Sequence, residues 1–318
     1  MTGRTILAGL AAFLAMVGIG WIIPGWCVFL LITAFAKGIT ALGMILLLRN
    51  GLVSFGQGLF YCVGGYTAAL LMLQLHVHDV LLLVLAGGLV ALVLGCIVGP
   101  LMATYRGIFF ATLTLALSML AYGILAKTDA VGGTDGLNLP RPTFFGYRPA
   151  SAPAADWALY VFSAAAAVAC GVLCRWQMSS VRGLMALAVR DNEIRVEYLG
   201  ISARRLISEN FAVAALLGGI GGALNGLAIA HVDPELAFWT TSGELTFVAV
   251  LAGPTSVVAA FASSVVIEAI RSLSSQYAPN EWQMLLGIFM LGTMLVLPTG
   301  ISSLFDRLRR RRLQRQSP

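Results

Sequence analysis

The sequence predicts an all-α fold: a polytopic integral membrane bundle of about ten helices with a charged helix standing outside the bilayer. Three observations carry that reading. Mean hydropathy is +0.89, with 59% hydrophobic and 11% charged residues, well outside the composition of soluble domains. Apolar runs of roughly twenty residues, the length that crosses hydrocarbon, recur from end to end. Arginines gather between alternate runs, as topology signals do.

In chain order the spans are expected near residues 6–23, 26–48, 58–75, 80–102, 107–126, 157–173, 206–230, 244–262, 263–273 and 282–297. The first follows Arg4 and has no small-residue cleavage site after it, so it is expected to be a retained helix. The eighth and ninth are the poorest separated, because Gly253-Pro254 interrupts the eighth and no polar loop divides the two. Alternation from a cytoplasmic N-terminus puts Arg4, Arg49, Arg106, the six arginines from Arg175 to Arg205 and the six from Arg307 to Arg315 inside. Only Lys127, Arg141 and Arg148 fall outside, with Arg271 near an outer boundary. Both termini are thus expected in the cytoplasm.

One membrane domain, 1–318, is the expected organisation, with a polar loop at 174–205 and a basic tail at 303–318. The 35 glycines concentrate inside the apolar runs. Those from Gly218 to Gly222 divide evenly between plain close packing and an interrupted helix. From Gly51 to Gly58 the interleaved Asn50, Ser54 and Gln57 favour a broken or re-entrant piece beside a path. The five cysteines lie in or at the edges of apolar runs, without metal or disulfide spacing, and read as small core residues.

Absences narrow the function. Lys37 and Lys127 are the two lysines, and both follow alanine, so no G-x-x-x-x-G-K-[ST] phosphate loop exists. The three histidines lack H-E-x-x-H spacing and no G-x-S-x-G occurs, so neither a catalytic residue nor a metal ligand is expected. The basic balance of +6 is explained by topology rather than by nucleic acid. Charges within spans are too few for a voltage sensor or a proton relay.

The loop from Arg182 to Arg205 is a densely charged segment between these runs. Its middle places Val189, Ile194, Tyr198 and Leu199 broadly on one helical face, with Arg190, Asp191, Glu193 and Arg195 elsewhere and Gly200 as terminator. Such a helix either plugs a groove on a partner protein or lies on headgroups; Asp191, Glu193 and Glu197 argue against the headgroups.

RGLMALAVRDNEIRVEYLGISARRLISENFAVAALLGGIGGAL at 182–224 resembles the cytoplasmic loop and following helix of the membrane subunits of branched-chain amino acid ABC importers, the LivM-like permeases. GLVSFGQGLFYCVGGYTAALL at 51–71, and GIFFATLTLALSML with VGGTDGL at 107–120 and 131–137, are similar to two further motifs of that family. The resemblance implies a permease that binds no cofactor, with ATP-Mg held by two cytoplasmic ATPase subunits. It also implies a second, related permease, a periplasmic solute-binding protein and a place in the bacterial inner membrane. Arg190, Asp191, Asn192, Glu193, Leu199 and Gly200 fall on its coupling motif. Ser54, Gly56, Gly132, Gly133, Thr134 and Asp135 fall on the other two, and with Gln57, Lys37 and Glu244 make the candidate path.

The chain departs from the family pattern at Arg49 for glycine, Gln57 for histidine and Ile45 for asparagine, and in the glycine-poor run 252–264. Lys37, near mid-span, either faces the path or pairs with Glu244 or Glu268. Glu268 and Arg271, three apart, are expected to satisfy one another. A secondary transporter or channel for a small polar solute is the alternative; a membrane-embedded enzyme lacks a convergent polar cluster.

Overall fold

A computed structural model describes residues 2–149, 151–277, 281–296 and 300. The basic tail at 303–318 and the end of the run at 282–297 lie outside the described residues.

Helices occupy all the apolar runs. They are α1 (Thr2–Ile22), α2 (Gly25–Arg49), α3 (Gln57–Gln74), α4 (Val80–Met102), α5 (Gly107–Ala126) and α6 (Ala152–Ser179). After the polar loop come α9 (Ala203–Ile229), α10 (Trp239–Ala252), α11 (Val257–Tyr277) and α12 (Trp282–Val296). The loop itself holds α7 (Val181–Asp191) and α8 (Glu193–Tyr198). Among the described residues six helices, α2, α4, α5, α6, α9 and α11, are long and apolar enough by themselves to cross a membrane.

The eighth and ninth expected spans are redrawn. Helix α10 stops at Ala252 rather than running to 262, because Gly253 takes φ +79° and Pro254 follows, and α11 begins only at Val257. The break expected at Gly253-Pro254 is therefore the connection between two helices.

Helices α2 and α9 form the centre of the bundle. From Ile32 to Leu47 every residue of α2 is buried, and α9 packs extensively on α2, α3 and α4. The cause is written in the glycines of α9, which let three neighbours reach its backbone. A Cβ on Gly221 would overlap the Ala36 carbonyl of α2, one on Gly222 would overlap the Tyr61 carbonyl of α3, and one on Gly219 would sit 2.5 Å from the Gly87 carbonyl of α4. Gly218 to Gly222 is thus a close-packing surface on an uninterrupted helix. Cys62, Cys170 and Cys174 are buried, whereas Cys27 is half-buried and Cys96 faces outward from α4, so neither of these last two is a core residue.

The bundle has two distinct ends. At one lie α7, α8 and the starts of α5 and α9; at the other a two-residue pairing joins β1 (Leu137–Asn138) to β2 (His231–Val232). Helix α1 lies on α6, with Gly9 against Val172 and Trp21 edge-on to Trp157.

Candidate functional site

The polar loop folds as two helices, not the single amphipathic helix its spacing predicts. Ser180 caps α7 through the Gly183 amide, and the chain turns extended at Asn192, whose Oδ1 accepts the Arg195 amide at 3.0 Å and so starts α8 afresh. The break divides the expected apolar face. Val189 and Val196 are buried, at 6% and 2% exposure, while Ile194, Tyr198 and Leu199 are 65%, 88% and 72% exposed. Gly200, at φ +81°, closes α8 by donating to the Glu197 carbonyl at 2.9 Å, the terminator role its position suggests.

Three anchors hold this pair of helices on the bundle. Arg106, at the foot of α5, grips Glu193 through both carboxylate oxygens, Nε–Oε2 at 2.8 Å and Nη2–Oε1 at 2.6 Å. That two-pronged grip holds the Glu193 carboxyl below the usual carboxylate value. Glu209 of α9 takes Arg182 and Arg205, each at 3.1 Å. Arg49 is the third: buried at the end of α2, it donates to the carbonyls of Met178 at 3.2 Å, Gly183 at 2.9 Å and Pro254 at 3.4 Å. One guanidinium therefore ties α2, the α6–α7 corner and the α10–α11 connection together. Arg190 lays its stem over Gly51, while the side chains of Asp191 and Asn192 are exposed.

Residues 50–56 between α2 and α3 are non-helical, and Asn50, Leu52, Ser54 and Gly56 among them are buried. Irregular backbone of this kind needs partners inside the protein. Thr114 of α5 accepts the Phe55 amide at 3.2 Å, and Ser242 of α10 accepts the Gly58 amide at 3.1 Å. Thr246 donates to the Ser54 carbonyl at 3.2 Å, and Ser118 to the Ala237 carbonyl at 2.7 Å. Ser54, Gly56 and Gly58 thus meet a serine–threonine band on α5 and α10, while Gln57 lies against Gly218 of α9. Sequence reasoning passed over that band, although Thr114 with Ser118 and Ser242 with Thr246 each stand four apart inside an apolar run.

Glu244, between Ser242 and Thr246 in the sequence, leads to a charged cluster. Lys37 Nζ lies 2.7 Å from Glu244 Oε1 and 2.6 Å from Glu268 Oε2, joining α2, α10 and α11. Arg271 completes it at 3.7 Å from Glu244 and 4.0 Å from Glu268. Two cations balance two carboxylates, as charge at this depth demands. Lys37 is thus ion-paired, and the expected i,i+3 pair of Glu268 with Arg271 is present at 4.0 Å, with Lys37 also bound to Glu268 at 2.6 Å.

Gly132, Gly133, Thr134 and Asp135 sit apart from all of this, in the cap at the far end. There Gly132, Gly133 and Gly136 take positive φ, and a Cβ on Gly136 would overlap the Val232 carbonyl. The structure does not bring these four to Lys37 and Glu244.

A helical bundle with a buried, charge-balanced centre and a charged two-helix projection at one end is the architecture of a multi-pass integral membrane protein. The chain belongs to the branched-chain amino acid transport system / permease component family, whose model matches residues 26–296. It is similar to the high-affinity branched-chain amino acid transport system permease protein LivM of Escherichia coli (strain K12), 28% identical over 269 residues, 78% of this chain and 62% of that one. It is also similar to LivH of Salmonella typhimurium, a permease protein of the same description, at 24% over 268 residues, 79% of this chain and 85% of that one. The match therefore takes in less than two thirds of the LivM relatives' length. No solved structure matches the chain.

Proposed function

We propose that this chain is the membrane-spanning permease subunit of an ATP-driven importer for branched-chain or other amino acids in a bacterial inner membrane. It carries no nucleotide site of its own. Two cytoplasmic ATPase subunits hold ATP-Mg, a second related permease completes the path and a periplasmic binding protein delivers the solute. The names of the LivM and LivH relatives support the solute class and the assembly.

The observation that carries the reading is the α7–α8 pair. It presents Ile194, Tyr198 and Leu199 outward at one end of the bundle, and is held rigidly by Arg106, Glu209 and Arg49. Apolar side chains exposed beside charge, on a helix that cannot tilt freely, suit a groove on a partner better than solvent. Closure of the ATPases would displace that groove, and the ties would pass the displacement to α2, α5, α9 and the α10–α11 connection. The path then switches between inward- and outward-open populations. Arg190, Asp191, Asn192, Glu193, Leu199 and Gly200 form this coupling element: Asn192 and Gly200 set the ends of α8, Glu193 fixes its angle and Leu199 makes contact. The path runs by the band of Ser54, Gly56 and Gln57 toward Lys37 and Glu244, and the loop from Gly132 to Asp135 closes its outer end. The helices besides the six long apolar ones complete ten crossings, with both termini in the cytoplasm.

The test is Leu199→Asp. Uptake should fall to background while the amount of protein in the membrane stays normal, since Leu199 is 72% exposed and leaves no cavity behind. Uptake at the normal rate would overturn the coupling role. Uptake by vesicles without ATP would favour a secondary carrier.

A further inference from the structure

A cleft opens between α1, α6 and the start of α11, at the same end of the bundle as α7 and α8. Its mouth is a cavity of about 450 Å³ that both Arg49 and Arg175 line, with Trp176 beside them. It continues into a groove of about 380 Å³ that shares Val172, Arg175 and Val257 with the mouth and is walled by Ala8, Gly9, Ala12 and Phe261. Two features of this cleft are left unexplained by the coupling geometry: the uncompensated charge at its mouth and the apolar groove beyond it. Arg49 is 93% buried by its 7% exposure, and its guanidinium is held by three carbonyls. Neither it nor Arg175 forms an ion pair among the described residues. Carbonyl dipoles orient a guanidinium but leave its net charge uncompensated, which is costly at the edge of hydrocarbon. Beyond the arginines the groove is lined almost wholly by apolar side chains and small residues.

We infer that this cleft binds an anionic phospholipid, with its phosphate between Arg49 and Arg175 and an acyl chain along the α1–α6–α11 groove. A basic mouth over an apolar slot is complementary to one molecule with both properties, and basic pockets between membrane helices hold anionic headgroups in this way. The tail with its six arginines from Arg307 to Arg315 carries the wrong sign for such a mouth. A free phosphate would satisfy the arginines but leave the groove empty. Because Arg49 also grips the Met178, Gly183 and Pro254 carbonyls, the lipid bridges the bilayer to the corner from which α7 departs.

The experiment uses the full chain purified from bilayers of equal parts phosphatidylglycerol and phosphatidylcholine, with retained lipid read by native mass spectrometry. The wild type should keep phosphatidylglycerol in preference. Arg175→Gln should lower that preference about fivefold, the change expected from losing one cation near an anionic headgroup. Ala12→Trp, which fills the groove without touching a charge, should lower it as well. Arg204→Gln, whose side chain binds the Pro100 carbonyl and does not line the cleft, should leave it unchanged. Equal retention in the wild type, Arg175→Gln and Ala12→Trp would overturn the site. So would loss of phosphatidylglycerol to added inorganic phosphate, which would mean an anion site alone, or a cross-link from Ala12→Cys to a second copy, which would mean a protein-covered face.

Discussion

Glu193 with Arg106 and Lys37 with Glu244 and Glu268 are built from the same chemistry, a cation against carboxylate oxygens at 2.6–2.8 Å. Their surroundings differ. The first pair is about a third exposed, at 34% and 33% of its side chains, at the end where α7 and α8 stand. The second is at 5% and 11%, between three helices of an apolar bundle. Water screens the first, so its value lies mainly in fixing the angle of α8 and only about 1 kcal/mol in stability. In the second the charges are buried among three helices, where a charge without its partner is costly. One pair sets a direction; the other is a condition for the bundle to close.

The largest effect should follow from breaking the buried set. Lys37→Met leaves two carboxylates facing each other with Arg271 at 3.7 and 4.0 Å as their remaining cation. The expected loss is about 3–5 kcal/mol, read as a lower melting temperature and lower yield of the purified protein. Combining it with Glu244→Gln, which removes one of the two stranded carboxylates, should recover part of that loss. A double variant no better than Lys37→Met would mean that the lysine acts by packing rather than by charge, and the contrast between the regions would fail.

How far these features could be read from sequence depends on whether their cause is local. Helix positions follow from the length of hydrocarbon to be crossed, and the apolar runs show it directly. The partners of Lys37 were legible for a related reason: a charge at mid-span must be matched, and Glu244 and Glu268 are carboxylates on other spans. Where two rules compete, legibility drops. Hydropathy carried the eighth span to 262, but φ at Gly253 and the ring of Pro254 end it at Ala252. The polar loop read as one helix because its apolar spacing is continuous, while Asn192 takes up the capping geometry that splits it. The grips of Arg106 on Glu193, across 87 residues, and of Arg49 on Gly183, across 134, leave no local trace. Both arginines read simply as topology charges.

A smaller effect is expected at the exposed pair. Glu193→Gln keeps the shape of the side chain and loses the charge, so about 1 kcal/mol of restraint on α8 goes with it. Melting of the bundle should fall by a few degrees at most, far less than in Lys37→Met. If α8 drives the path, solute-stimulated ATP hydrolysis by the assembled complex should drop roughly fivefold, the rate equivalent of that energy. A melting temperature that falls as far as in Lys37→Met would show that the two regions are not separate in kind.

The smallest effect is a dependence on pH, and its sign follows from the direction of the Glu193 shift. Arg106 lowers the Glu193 carboxyl below its ordinary 4.5, so the folded state holds the ionised form more tightly than an unfolded chain would. Stability from this contact is therefore fully present above pH 4.5 and is lost as pH falls through the lower folded value. A spin label at position 198, where Tyr198 is 88% exposed, should keep the same mobility from pH 7 down to about 5 and loosen only below that. Glu193→Gln should show the loosened spectrum at every pH. Because the pair is a third exposed, salt should weaken it at neutral pH in the same direction, whereas the buried Lys37, Glu244 and Glu268 should respond far less. Loosening of the label with salt, together with little change in melting temperature, is the combination that separates an orienting contact from a structural one.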